Sequence, residues 1–229
     1  MTFLDWEKAF DRVRQDKMIE ALERMQVDKT LIELVSALYN NPTFAVKIEG
    51  KQSDFYRQAR GIRQGCPLSP YLFLTVMAVM FDDIHLDCDR EISWARMKGV
   101  SFSEVLYADD TALVTDEPKA MNKLLQTIEK HAKYYGLNFN KAKCEAIKIN
   151  ANNKLKFTDG TELKGVKEVI YLGCSINNSA DTKKEIQRRM TNCIVTMKRL
   201  HLFWKESDTP KRIKLQIYDA IIRSKLVYG

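Results

Sequence analysis

The stretch Val105-Leu-Tyr-Ala-Asp-Asp-Thr-Ala-Leu-Val-Thr115 decides how the rest of the chain is read. Two apolar, strand-like runs flank Ala108-Asp109-Asp110, which predicts a β-hairpin carrying two adjacent carboxylates at a tight turn. Two readings stand. Asp is a good turn residue and a hairpin tip is solvated, so the pair can be ordinary turn chemistry. Alternatively the pair binds a divalent cation, whose charge relieves the repulsion between neighbouring acids and whose hard character selects carboxylate oxygens. What else the chain brings to that place separates the two.

Upstream, Thr2 to Asp11 starts as an apolar strand and turns charged, with Asp5 at the strand's end. Alone, such a carboxylate marks only where a strand leaves the core. Amphipathic spacing predicts helices over Lys17–Met25, on Met18, Ala21, Leu22 and Met25, and over Lys29–Leu38, on Leu31, Leu34, Val35 and Leu38. Phe44–Glu49 alternates and, with Gly50-Lys51 and Phe55-Tyr56, reads as a polar-tipped hairpin. The loop Arg60–Pro70 follows, with two glycines, two prolines and two arginines. Ser69 and Pro70 suit the N-cap and first position of a buried helix running to about Ile84. A loop at a helix N-terminus favours anions, and Gly61 and Gly65 would let the backbone approach a flat ligand.

Downstream of the carboxylates, Pro118 opens a helix on Met121, Leu124, Leu125, Ile128, Ala132 and Tyr135, stopped by Gly136. Leu137–Lys143 leads into a strand over Cys144–Ile149, Asp159-Gly160 is a turn, and Val169–Ile176 forms strands around Gly173. Two helices close the chain. One spans Thr182–Phe203 on Ile186, Met190, Ile194, Met197 and Leu200; the other starts at Thr209-Pro210 and uses Ile213, Ile217 and Ile221 as core.

A chain of 229 residues, 45% hydrophobic, can bury one good core with a smaller appended part. The longest apolar run, Leu72–Phe81, falls short of the roughly 20 residues that span a bilayer, and no secretory leader pattern opens the chain, so a soluble intracellular protein with no membrane partner is expected. Five scattered cysteines without Cys-x-x-Cys spacing support neither a disulfide framework nor zinc. The formal charge of +7 is uneven: Asp181–Gly229 carries twelve Lys/Arg against five Asp/Glu, whereas Met1–Ala180 carries twenty-five of each. A basic segment on a neutral body suggests a polyanion such as nucleic acid, with a solvated helix face as the plain alternative. The change of balance sets an expected boundary near Asn177–Ala180.

If the first strand lies beside the hairpin in one sheet, Asp5, Asp109 and Asp110 converge on one edge. Two metal ions about 3.5–4 Å apart would satisfy that convergence and stabilise an in-line phosphoryl displacement, as nucleotidyl transfer requires.

At these residues the chain resembles the reverse transcriptase palm of non-LTR (LINE-type) retrotransposon polymerases. Asp5–Asp11 is similar to the family's first motif, Arg63–Phe73 to its Arg-Gln-Gly-x-Pro-x-Ser-Pro-x-Leu-Phe motif, and Tyr107–Asp110 to its Tyr-Ala-Asp-Asp box. Gly136–Lys143 resembles the fourth motif and Tyr171-Leu172-Gly173 the fifth, the primer grip. The resemblance implies an α+β fold: a polymerase palm, with an antiparallel sheet flanked by helices, over residues 1–179, and a helical thumb-like segment over 180–229. It implies RNA-directed DNA polymerisation with an RNA template, a DNA primer and dNTPs. Asp5 and Asp109 would hold two Mg²⁺ ions, Mn²⁺ being the other candidate, with Asp110 supporting. Phe10 would exclude a ribose 2′-hydroxyl, and Gln64 with the Gly65 backbone would touch the nucleotide and template base. Lys143 would act on the pyrophosphate, a solvated surface lysine being the alternative. Tyr171, Leu172 and Gly173 would place the primer's 3′ end. The fingers that precede the first motif in family members are expected to be missing and the thumb incomplete, which leaves a non-catalytic, nucleic-acid-binding remnant as the alternative function.

Overall fold

The computed structural model describes residues 1–92, 103–151 and 153–228. By packing they fall into two compact units, Met1–Val166 and Lys167–Gly229. This division comes before the last hairpin, whereas the boundary suggested by charge comes after it.

In the first unit a five-stranded sheet has the order β6-β7-β1-β8-β9. The central strand β1 (Thr2–Leu4) is wholly buried. It lies antiparallel to β7 (Asp110–Leu113) on one side, with Leu4 opposite Thr111, and to β8 (Glu145–Ile147) on the other. Beyond β7 comes β6 (Glu104–Tyr107), also antiparallel. The outer strand β9 (Lys164–Val166) departs from the expected antiparallel pattern and runs parallel to β8. The intervening chain makes its own turn at Asp159-Gly160, closed by the Lys156–Glu162 bridge, and so returns in the direction of β8.

Helices α1 (Ala9–Arg12), α2 (Gln15–Arg24) and α3 (Lys29–Tyr39) follow β1; α4 (Ser69–Ile92) and α5 (Pro118–Tyr134) pack on each other, and α2 packs on α4. The six positions expected to form the apolar face at and beyond α5 are all buried. Gly136, at φ +84, ends that turn because a Cβ there would meet the Arg12 carbonyl oxygen at 2.6 Å. Helix α4 outruns its expected end at Ile84, because polar pairs extend it: His85 reaches Glu104 and Asp87 reaches His131, both at 2.8 Å, while Cys88 continues the buried face. Ser69 is its first helical residue and donates its hydroxyl to the Arg63 carbonyl, so it anchors the preceding loop instead of accepting from a helix N–H.

Helix α3 reverses one expectation. Asp28 caps it through the Thr30 N–H, but Val35 and Tyr39 are its buried side, while Leu31, Leu34 and Leu38 lie open. Both sets have helical spacing, and packing against α2 selects between them. Met25 is likewise exposed. The next segment is a two-tier hairpin. In it β2 (Thr43–Phe44) pairs with β5 (Tyr56–Arg57), and β3 (Lys47–Ile48) with β4 (Lys51–Gln52), around Glu49-Gly50, both at positive φ.

In the second unit β10 (Glu168–Tyr171) and β11 (Cys174–Asn177) form a hairpin around Leu172 and Gly173, both at positive φ. Helices α6 (Thr182–Arg199), α7 (His201–Glu206) and α8 (Lys211–Ile217) follow, then a π-helical turn (Tyr218–Arg223) and α9 (Ser224–Val227). The expected single helix to Phe203 is divided at Leu200, whose φ and ψ of −93° and 15° leave the helical range. Thr209 does not cap α8; Pro210 holds that position without a side-chain bond. Cys193 and Ile222 are buried, whereas Ile186, Met190, Ile194, Met197, Ile213 and Ile221 are exposed, so the expected apolar stripes are largely surface. No described helix is long and apolar enough to cross a membrane, and all five cysteines are free thiols.

Candidate active site

The sheet register brings the three carboxylates to one end. Tyr107 pairs with Asp110 across a two-residue turn of Ala108 and Asp109, and Ala108 sits at φ 53, the left-handed region an L-residue enters at some cost. Because Leu4 faces Thr111, the next residue of the first strand, Asp5, emerges beside Asp110. A buried hydrogen bond from the Trp6 indole to Thr111 Oγ1, 3.1 Å, ties the two strands just where the acids leave them. The Asp110 carboxyl is pushed above its usual range by partial burial, then by Asp109, then by Asp5.

Asp5 is held by its backbone. Its carbonyl accepts from the Asn140 N–H at 2.8 Å, and its N–H donates to Cys144 Sγ at 3.4 Å. Burial pushes the Cys144 thiol up to about 11, so it stays protonated beside the site. Phe139 pairs with Trp6 both as a β-bridge and ring to ring at 4.5 Å. These contacts lay the Gly136–Lys143 segment along the residues after β1 and bring Lys143 Nζ to 4.0 Å from Asp5 Oδ2. The lysine remains largely exposed, and the pair is a loose ion pair.

Phe10 stacks on Phe73 of α4 with centroids 4.6 Å apart. The Arg60–Pro70 loop docks on the same stretch: Ile62 N–H donates to the Phe10 carbonyl at 2.7 Å, and Gly61 N–H to the Val13 carbonyl at 2.8 Å. Gly61 serves this internal docking and not a ligand's approach, because a Cβ there would stand 2.7 Å from the Asp11 carbonyl oxygen. Gly65 differs, with open space where its Cβ would be. Gln64 is exposed and donates to Asp11 Oδ1 at 2.9 Å. Arg63, with its guanidinium on the Leu38 carbonyl and its backbone N–H on the Tyr39 hydroxyl, fastens the loop to the end of α3.

Thus Asp5, Asp109, Asp110 and Lys143 meet at one sheet end, and Phe10, Gln64 and Gly65 belong to the segment and loop docked on it. Tyr171, Leu172 and Gly173 belong to the second unit. There the Leu172 carbonyl accepts from Tyr228 Oη at 3.1 Å and the Gly173 carbonyl from Arg188 Nη2 at 2.5 Å. Reading the sequence assigned no role to Asp11, Asn140, Cys144 or Thr111. Asp11 closes the first charged stretch and could have been singled out; the others act through backbone or buried contacts that carry no sequence signal. Among the described residues no three His, Cys, Asp or Glu side chains stand as a ready metal cage. What fits a hard divalent ion is the donor set: convergent carboxylates, one of them resisting ionisation because of partial burial and then because of the other two.

The chain matches the sequence model of the family described as reverse transcriptase (RNA-dependent DNA polymerase) over residues 1–176. Among curated relatives, the Pol polyprotein of the type-1 retrotransposable element R2 from Nasonia vitripennis is 27% identical over 191 residues, 78% of this chain and 18% of that protein. The RNA-directed DNA polymerase from mobile element jockey of Drosophila melanogaster is 25% identical over 246 residues, 99% of this chain and 25% of the relative. The chain therefore spans about a fifth to a quarter of the length of these relatives. Among solved structures, apo telomerase from Candida tropicalis superposes with a TM-score of 0.58 at 13% identity, covering 99% of this chain and 46% of that one. Telomerase from Candida albicans, solved with a fragment of telomeric RNA, gives 0.57 at 15% identity, covering 99% and 40%. At such identities these likenesses establish the α+β fold.

Proposed function

Because the chain belongs to the reverse transcriptase family, in its non-LTR retrotransposon branch, we propose that it supplies the palm, residues 1–179, and a thumb-like segment, residues 180–229, of an RNA-directed DNA polymerase. The reaction is addition of dNTPs to a primer 3′ end on an RNA template by two-metal nucleotidyl transfer. The observation that carries this reading is the convergence of Asp5, Asp109 and Asp110, with Asp110 electrostatically coupled to both others.

In this reading Asp5 and Asp109 hold two Mg²⁺ or Mn²⁺ ions and Asp110 supports them. Bound ions of this kind offset the carboxylate repulsion and stabilise the attacking and leaving oxygens of an in-line displacement. The chain's own residues do the rest. Phe10, braced by Phe73, blocks a ribose 2′-hydroxyl. Gln64, oriented by Asp11, and the open backbone at Gly65 meet the incoming nucleotide and the template base. Lys143 screens or protonates the pyrophosphate, and Tyr171, Leu172 and Gly173 set the primer's end.

The test is primer extension by purified protein on an annealed RNA template with dNTPs and Mg²⁺, beside an Asp5→Asn control. Extension that the control lacks supports the assignment. A folded protein that binds the duplex and extends nothing supports the second reading, a binding remnant.

A further inference from the structure

The second unit contains a concavity of about 360 Å³ lined by Arg188, Arg189, Arg199, Lys225, Asn192 and Tyr228. We propose that it is a seat for a phosphomonoester, the terminal phosphate of a nucleic-acid strand.

Four cations face this space, and no acid lines it among the described residues. The acid that acts on them most strongly is Glu185, which binds Arg188 through Nε at 2.8 Å and Arg189 through Nε at 2.5 Å; Glu168 acts on Arg188 more weakly. One carboxylate thus fixes two guanidinium forks and leaves most of the positive charge uncompensated. Arg188 is also tied to the Gly173 carbonyl, and Arg189 to Cys174 Sγ at 3.2 Å, so both hold their places without a ligand. The other two cations are the free ones. Among the described residues the exposed Arg199 side chain has no hydrogen bond or ion pair, and the Lys225 ammonium is engaged by the Thr196 hydroxyl alone, at 3.0 Å.

Two fixed guanidinium groups and two available cations match a multiply charged, tetrahedral oxyanion. A phosphomonoester carries about −2 at neutral pH, against −1 for an internal phosphodiester, so the uncompensated charge favours a strand's end. The shape agrees. A concavity of this volume lies within the range that takes one small ligand, and the Tyr228 ring, with the Arg189 guanidinium 5.9 Å from its centroid, gives its wall an aromatic part against which a terminal base can pack. Tyr228 is itself fixed, by its hydroxyl on Leu172 and by contact with Gly173, where a Cβ would stand 3.3 Å from the ring. That the phosphate comes from nucleic acid rests on the family assignment; the seat itself rests on the charge arrangement.

The experiment is fluorescence anisotropy with the full chain and EDTA, on one single-stranded oligonucleotide phosphorylated at the 5′ end, the 3′ end or neither. The expected result is that one phosphorylated form binds about tenfold tighter than the hydroxyl form, and that Arg199→Gln and Lys225→Gln each erase the difference. Arg212→Gln, exposed in the same unit and outside the concavity, should weaken all forms alike. Equal affinities, or a difference that survives both substitutions, would overturn the proposal. Competition by inorganic phosphate as effective as that by a mononucleotide would overturn the assignment to a strand end in favour of a small free anion. Primer extension is scored separately, so loss of end discrimination with extension intact defeats only this proposal.

Discussion

At the scale of single residues, the carboxylates are poised by what they cost. The raised pKa of Asp110 means that the folded chain holds this proton more tightly than the unfolded chain does. Ionising it therefore destabilises the fold: the cost is absent in acid, grows as pH rises through the carboxylate range, and persists above it. Asp110→Asn should raise the melting temperature at neutral pH and leave it unchanged in acid, a comparison read by thermal melts across pH. Asp109→Asn should abolish metal-dependent extension while barely shifting the melt; an unchanged extension rate in that variant would sink its role as a metal ligand. The pair's place at a hairpin tip is legible from the alternation around it, and Asp5 from its strand's end. Asn140 and Cys144 are not, because they act on Asp5 through a backbone N–H and a thiol, which no spacing encodes.

At the scale of elements, one glycine and one acid fix how segments meet. Gly61→Ala should cost at least about 1–3 kcal/mol, from the positive φ and the clash with Asp11, measured by urea unfolding. In the second unit Glu185 is held at about 2 by its bond to Arg188, against burial, and further by Arg189. A depressed carboxylate stabilises above its unfolded pKa and loses that contribution as pH falls toward the folded value. Glu185→Gln should accordingly lower stability at neutral pH, and the deficit should close in strong acid. Helix α5 was readable almost to the residue, since one stripe carries all its apolar side chains. Helix α3 was not, since two apolar stripes lie side by side on it and only its neighbour selects one. That difference is measurable: Leu34→Ser should stay within about 0.5 kcal/mol of the parent, as an exposed site does, whereas Leu125→Ala should cost about 2–5 kcal/mol.

Across the whole molecule, charge and packing divide the chain at different places. Charge balance changes after the β10–β11 hairpin, but packing changes before it, because the hairpin makes its bonds with α6: the Ser175 N–H donates to Glu185, and the Gly173 carbonyl accepts from Arg188. Contacts of that kind join positions ten to fifteen apart and leave no trace in composition. The first unit is assembled the opposite way. Its central strand is Thr2–Leu4, whose two neighbours in the sheet begin at Asp110 and Glu145. During synthesis this strand must wait, unpaired, until most of the unit has left the ribosome, and closing so long a loop is a slow step. Asp5 can meet Asp110 once β7 has been made and pairs with β1, before α5 is complete, and β8 then closes the other side of the strand. A nascent chain that ends between Leu113 and Glu145 can thus hold Asp5 beside Asp110 with one side of the central strand still open.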